Sequence, residues 1–143
     1  MDIPVNLPAH EAGHVLVGTV LGYQASAYVL PHRGRYSVDG KIVDPVHRAA
    51  VGLAGALGEL MIHHPRVSRE EAQRFVIKSG RVSTTDWEMI GSEMHSSFHG
   101  LWLTVDIIQR HHAAFLQIAK LLECFGQITP FEARAICELS VPK

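Results

Sequence analysis

His10 and His14 enclose a glutamate in the run His10-Glu11-Ala12-Gly13-His14. On a helix, positions i and i+4 project from one face a turn apart, so two imidazoles at this spacing can hold one metal ion. A hydrolytic zinc site takes three protein ligands and keeps a position for water, and a glutamate beside the first histidine can reach that water as general base. Ten histidines and nine glutamates placed at random over 143 residues would give such a run only about 0.04 times. The run therefore predicts a bound Zn2+ with His10 and His14 as ligands and Glu11 as the catalytic base. A histidine at the metzincin position is missing, because Val20 stands there and Val17 replaces the glycine of that pattern.

The elements that must position these residues are legible from caps and periodicity. Asn6 as cap and Pro8 in a first turn predict a helix from about Leu7 to Gly22, carrying the motif. Ala25 to Leu30, ending at Pro31, reads as a strand. Tyr36 to Val38 and Lys41 to Val43 flank Asp39-Gly40, a dipeptide suited to a tight hairpin. Asp44-Pro45 opens a second helix reaching Ile62, and Ser68 with Glu71 forms a capping-box signature for a third, ending at Gly80. Thr85 with Glu88 repeats that signature and puts Asp86 in the first turn of a fourth. Leu101 to Phe125 shows helical apolar spacing, and Thr129-Pro130 opens a last short helix. The expectation is a mainly α (α+β) fold of about six helices and one small sheet, forming a single domain over residues 1–143.

Composition narrows the function classes. A formal net charge of -1 gives no broad basic field, so nucleic acid is not an expected partner. The longest apolar stretch, Val51 to Ile62, is too short to span a bilayer, and no basic leader with an apolar core opens the chain, so no membrane partner and a cytoplasmic location are expected. Cys124 and Cys137 read as reduced core thiols. Trp87, Trp102, Phe98 and Phe115 read as core. His63, His64, His95, His99, His111 and His112 read as surface residues, since none adds a glutamate at the right place.

The run His10 to Gly18 resembles the metal helix of the FtsH-type AAA-linked zinc peptidases. Val29-Leu30-Pro31-His32-Arg33-Gly34 resembles the strand and Pro-Arg-Gly turn that follow that helix. Leu53 to Leu60 resembles the family's Ala-Gly-Arg-x-Ala-Glu-Glu helix, and Thr84-Thr85-Asp86 the segment bearing its third zinc ligand, an aspartate. Leu121-Leu122-Glu123 and Thr129 to Ile136 resemble its C-terminal end, so the likeness runs along most of the chain. The family's Gly-Ala-Ser-Asn insert before the aspartate is missing, the segment from Asp86 to Val105 is shorter, and no Gly-x-x-x-x-Gly-Lys-Ser/Thr run occurs in the 143 residues. The resemblance implies a helical zincin-type peptidase domain without its own ATPase.

On that resemblance Asp86 is the expected third ligand, a carboxylate at a helix start that is free to point toward a neighbour; the alternative is an ordinary first-turn acid favoured by the helix dipole. Glu59 is either an alternative ligand or a residue that orients a ligating histidine. The implied activity is a zinc-dependent metalloendopeptidase acting on unfolded or extended polypeptides, supplied by a separate ATPase or adaptor. The alternative is a catalytically silent peptide-binding or regulatory module. Ala27, Tyr28, Val29 and Leu30 are the expected substrate-binding residues, through edge-to-edge pairing with an extended chain; otherwise that strand is buried and structural.

Overall fold

The computed structural model describes residues 3–140. Helix α1 (Leu7–Val20) begins where the Asn6 side chain accepts a hydrogen bond from the Ala9 N–H at 2.9 Å, and Pro8 occupies a first-turn position that needs no N–H donor. It ends at Leu21, after which Gly22 takes a φ of 97°. Ala9 and every residue from Glu11 to Gly18 are buried, so α1 is covered on nearly all sides and forms the middle of the molecule.

Strands β1 (Ala25–Leu30) and β2 (Arg33–Val38) form an antiparallel hairpin closed by Pro31-His32, with Leu30 opposite Arg33. This corrects the expected turn at Asp39-Gly40: residues 41–43 form no strand, although Gly40 keeps a positive φ of 79°. The physical reason is burial. Ala25 and Ala27 of β1 and Tyr36 and Val38 of β2 share one face of the hairpin and pack on the core, whereas among residues 41–43 only Ile42 is buried. A two-residue strand, β3 (Gln127–Ile128), pairs with β1 at Tyr28 and Ala27, giving the order β2-β1-β3 with β1 in the middle.

Helix α2 (Pro45–Met61) is capped by Asp44, which accepts from the N–H groups of Val46 and His47. A side chain at Gly13 would strike the Ala54 carbonyl, and one at Gly58 the Ala9 carbonyl, so α1 and α2 cross in backbone contact. Helix α3 (Arg69–Lys78) has the expected capping box of Ser68 and Glu71, and α7 (Pro130–Leu139) an equivalent one of Thr129 and Glu132.

Helix α4 (Thr84–Ile90) starts two residues earlier than expected. Ser83, not Thr85, is its cap, with the Ser83 hydroxyl accepting from the Asp86 N–H at 3.1 Å. The single helix expected from Leu101 to Phe125 is two: α5 (Met94–Arg110) and α6 (His112–Phe125), separated at His111, whose ψ of 34° leaves the helical range. The break lets α5 lie on α2 while α6 turns back onto α1. The described residues thus hold seven helices and three short strands around one contiguous core, a mainly α fold of the α+β kind. Among the described residues no helix is long and apolar enough to cross a membrane.

Phe115 is fully buried and Trp102 half-buried beneath the Arg69 guanidinium, 4.6 Å from the ring centroid. Phe98 is also half-buried, whereas Trp87 is exposed, because it points away from the α4 face that meets α2. Cys124 and Cys137 are both free thiols, as expected; Cys137 is half-buried against the core, whereas Cys124 is exposed rather than a core residue. His63, His64, His95 and His99 are exposed, and His111 and His112 half-buried.

Candidate metal centre

The geometry of α1 brings the two motif histidines together, with His14 Nε2 3.3 Å from His10 Nε2. Each ring is held from behind. The Nδ1 of His14 lies 2.6 Å from the Val51 carbonyl oxygen, which can only accept, so that nitrogen donates. The Nδ1 of His10 donates to the Glu59 carboxylate at 2.8 Å. In the neutral rings both Nε2 lone pairs therefore point into the same space.

Asp86 enters that space from α4. Its Oδ2 lies 3.3 Å from His14 Nε2 and 3.9 Å from His10 Nε2, and its Oδ1 accepts the Tyr36 hydroxyl at 2.9 Å. Because Ser83 caps α4, Asp86 occupies the third helical position with its backbone N–H already bound, and its side chain is free to face the histidines. Three buried or nearly buried acceptors converging on one point repel one another unless a cation lies between them. His10, His14 and Asp86 can therefore hold a metal ion, with one donor atom from each within 4.8 Å of the others. A tetrahedral ion with bonds of about 2.0 Å spaces its ligand atoms about 3.3 Å apart, close to the two shorter separations.

Glycines make the room. A Cβ at Gly55 of α2 would lie against the Nε2 atoms of both histidines, and one at Gly34 of β2 would meet the Glu11 side chain at 2.7 Å. Glu11 is buried, with Oε1 3.9 Å from His10 Nε2 and Oε2 bonded to no protein group. An orphaned carboxylate oxygen beside three convergent ligands is a free acceptor for a proton from water or substrate.

The electrostatics follow from burial set against neighbours. Burial raises the pKa of Glu11, and His14 and His10 only partly oppose this. Burial disfavours charge on His10 too, but the hydrogen bond to Glu59 and the carboxylates of Glu11, Glu59 and Asp86 outweigh it and raise its pKa. For Asp86, burial is outweighed by the adjoining His14 ring and the Tyr36 hydroxyl, which lower its pKa. Glu59 is likewise lowered against burial by His10, the Asn6 N–H and Arg81.

Glu59 sits behind His10, bonded through Oε2 to its Nδ1 and through Oε1 to the Asn6 N–H and to Arg81 Nη1 at 2.8 Å. It therefore orients the His10 ring rather than facing the convergence point. Arg81, which also donates to the carbonyls of Ile3 and Pro4, was not legible in the sequence, and neither was Tyr36, which stacks on the His14 ring at 3.7 Å. Both act across distances in sequence that no local pattern signals.

The site opens on a cleft of about 1000 Å³ bordered by β2, α1 and α4. Ala27, Tyr28, Val29 and Leu30 do not supply its edge. β1 is the middle strand: β2 pairs with it throughout, β3 pairs with Ala27 and Tyr28, and the Val29 N–H donates to the Gly126 carbonyl at 2.8 Å. Of the two edge strands, β2 is the one that borders the cleft. Antiparallel pairs alternate between bonded and unbonded positions. Val29 turns its N–H toward β3 and Asp39 donates to the Gln24 carbonyl, so Gly34, Tyr36 and Val38, opposite the odd-numbered residues of β1, turn their backbone groups outward. Of the expected strand residues only Tyr28 lines the cleft. The sequence matches no protein-family model and no curated protein.

Proposed function

We propose that this protein is a zinc-dependent metalloendopeptidase acting on unfolded or extended polypeptides, as the resemblance of its sequence to the FtsH-type peptidases implies. The observation that carries the reading is the convergence of His10, His14 and Asp86 beside a buried glutamate with an unbonded oxygen. Two nitrogen donors and one oxygen donor, with an open cleft on the remaining side, are the donor set of a hydrolytic rather than a structural zinc site.

Bound zinc supplies Lewis acidity to the scissile carbonyl and to the attacking water. Glu11 takes the proton of that water and passes it to the leaving amine; burial, by raising its pKa, makes it a better proton acceptor than an exposed carboxylate. Glu59, fixed by Arg81, holds the tautomer and tilt of His10, and the Val51 carbonyl does the same for His14. Tyr36 holds Asp86 in place by donating to Oδ1, leaving Oδ2 directed at the histidines. The outward backbone groups of Gly34, Tyr36 and Val38 offer an extended substrate a strand to pair with, which gives affinity through the main chain and little dependence on sequence.

The test compares wild type with Glu11→Gln for zinc content and for cleavage of an unfolded protein. Equal zinc content with cleavage reduced about 10²- to 10⁴-fold in the variant is expected. Cleavage by Glu11→Gln at the wild-type rate would remove Glu11 from the chemistry, and zinc binding without any Glu11-dependent cleavage in the wild type would replace the peptidase by a silent peptide-binding module.

A further inference from the structure

The convergence of His10, His14 and Asp86 beside Glu11 does not account for the charge of the cleft. Five cationic side chains line it, Arg33, Arg35, Lys41, Arg48 and Arg81, against the carboxylates of Glu11, Glu59 and Asp86. Asp86 belongs to the metal ligands and Glu59 to Arg81. Among the described residues no carboxylate comes within ion-pair distance of Arg33, Arg35, Lys41 or Arg48. The Arg48 Nε is moreover buried without a hydrogen-bond acceptor, a donor in the cleft region that the folded chain leaves unsatisfied. The chain as a whole carries a formal charge of -1, so this excess of positive charge is local to the site.

Resting on the peptidase reading, we infer that the cleft selects acidic polypeptide segments, in particular those with Asp or Glu at alternate positions. The pattern follows from β2. Gly34 and Tyr36 face Glu11 and His14, so the Arg33 and Arg35 side chains leave β2 on its other, exposed face and border the cleft only at its rim. A substrate strand paired with β2 presents every second side chain to that same face, and directly opposed side chains there lie about 5 Å apart. Carboxylates at i and i+2 can therefore meet Arg33 and Arg35, while the intervening residue faces the metal ligands. A nucleic acid would satisfy the charges but not the outward N–H and C=O groups of Gly34, Tyr36 and Val38, which suit a peptide main chain.

The test uses the zinc-loaded full chain and three extended fluorogenic peptides of equal length, with Glu, Gln or Lys at alternate positions. Partly exposed pairs are worth at most about 1 kcal/mol each, so kcat/KM about five- to tenfold higher for the Glu peptide than for the Gln peptide is expected, and lower again for the Lys peptide. The ratio shrinks as salt screens the pairs. R33Q/R35Q brings the Glu-to-Gln ratio close to one, and the charge-keeping R33K/R35K retains most of it. Equal kcat/KM for all three peptides with wild type, or a ratio that survives R33Q/R35Q, overturns the inference. If wild type cleaves none of them, the peptidase reading fails and the inference is read by fluorescence anisotropy of the same peptides: tighter binding of the Glu peptide upholds it and equal binding overturns it. A single-stranded oligonucleotide of equal charge that displaces the Glu peptide as well as an unlabelled copy of that peptide does makes the cleft a general polyanion site, which also overturns it.

Discussion

A side chain in this centre matters according to which atom it fixes. His10 and His14 are each held through Nδ1 by an acceptor, which leaves Nε2 for a metal. Tyr36 does the same for Asp86 through a hydroxyl that donates to Oδ1. Tyr36→Phe keeps the ring that stacks on His14 but removes that donor, and a 10- to 100-fold loss of zinc affinity is expected, measured by competition with a chelator. Unchanged affinity would mean that Asp86 needs no support. The cysteines differ in a way that alkylation can read. Burial pushes the Cys137 thiol up to about 11, so at pH 8 about one part in a thousand is thiolate, the reactive form. Cys124 is exposed, and mass spectrometry after brief iodoacetamide treatment should find it modified well before Cys137.

At the scale of elements, the site depends on how closely α1 and α2 approach. Gly55→Ala puts a methyl group against the Nε2 atoms of His10 and His14, whereas Gly58→Ala puts one against the Ala9 carbonyl of the crossing helix. The expected outcomes differ: Gly55→Ala loses zinc binding, and Gly58→Ala loses about 1–3 kcal/mol of stability, read from denaturant midpoints. The motif helix, α2 and the capping boxes of α3 and α7 were legible because their signals are local: an N-cap side chain, a proline in the first turn, a glutamate three residues on. The hairpin was misplaced because Asp39-Gly40 carries strong turn chemistry that the fold uses only as a bend, while pairing follows the face that Ala27 and Tyr36 bury. The α5–α6 break at His111 has no glycine or proline to announce it. In the site, His10, Glu11 and His14 are legible from spacing alone, and Asp86 from resemblance. Tyr36, Arg81 and the Val51 carbonyl are not, since each reaches the centre only through tertiary packing.

For the molecule as a whole, the centre ties the N-terminal segment, α1, α2 and α4 together, so its ionisation bears on stability. Glu59 and Asp86 have folded-state pKa values below their ordinary 4.5 and 3.8. Their contribution is complete above those ordinary values and is lost as the pH falls through the lowered folded ones, so acid unfolding below about pH 4 is expected to shift upward in pH for Glu59→Gln, followed by circular dichroism. Zinc that binds only the folded chain adds about 2.7 kcal/mol at a hundredfold excess over its Kd, a rise of roughly 5–10 °C in melting temperature for a domain of this size. The most direct measurement titrates metal-stripped protein with Zn2+ by calorimetry, comparing wild type with His14→Ala and Asp86→Ala. One zinc per wild-type chain, with binding abolished or sharply weakened in both variants, is the expected result; wild type that takes up no zinc, or variants that bind it as tightly as wild type, would contradict the convergence of His10, His14 and Asp86 on a metal.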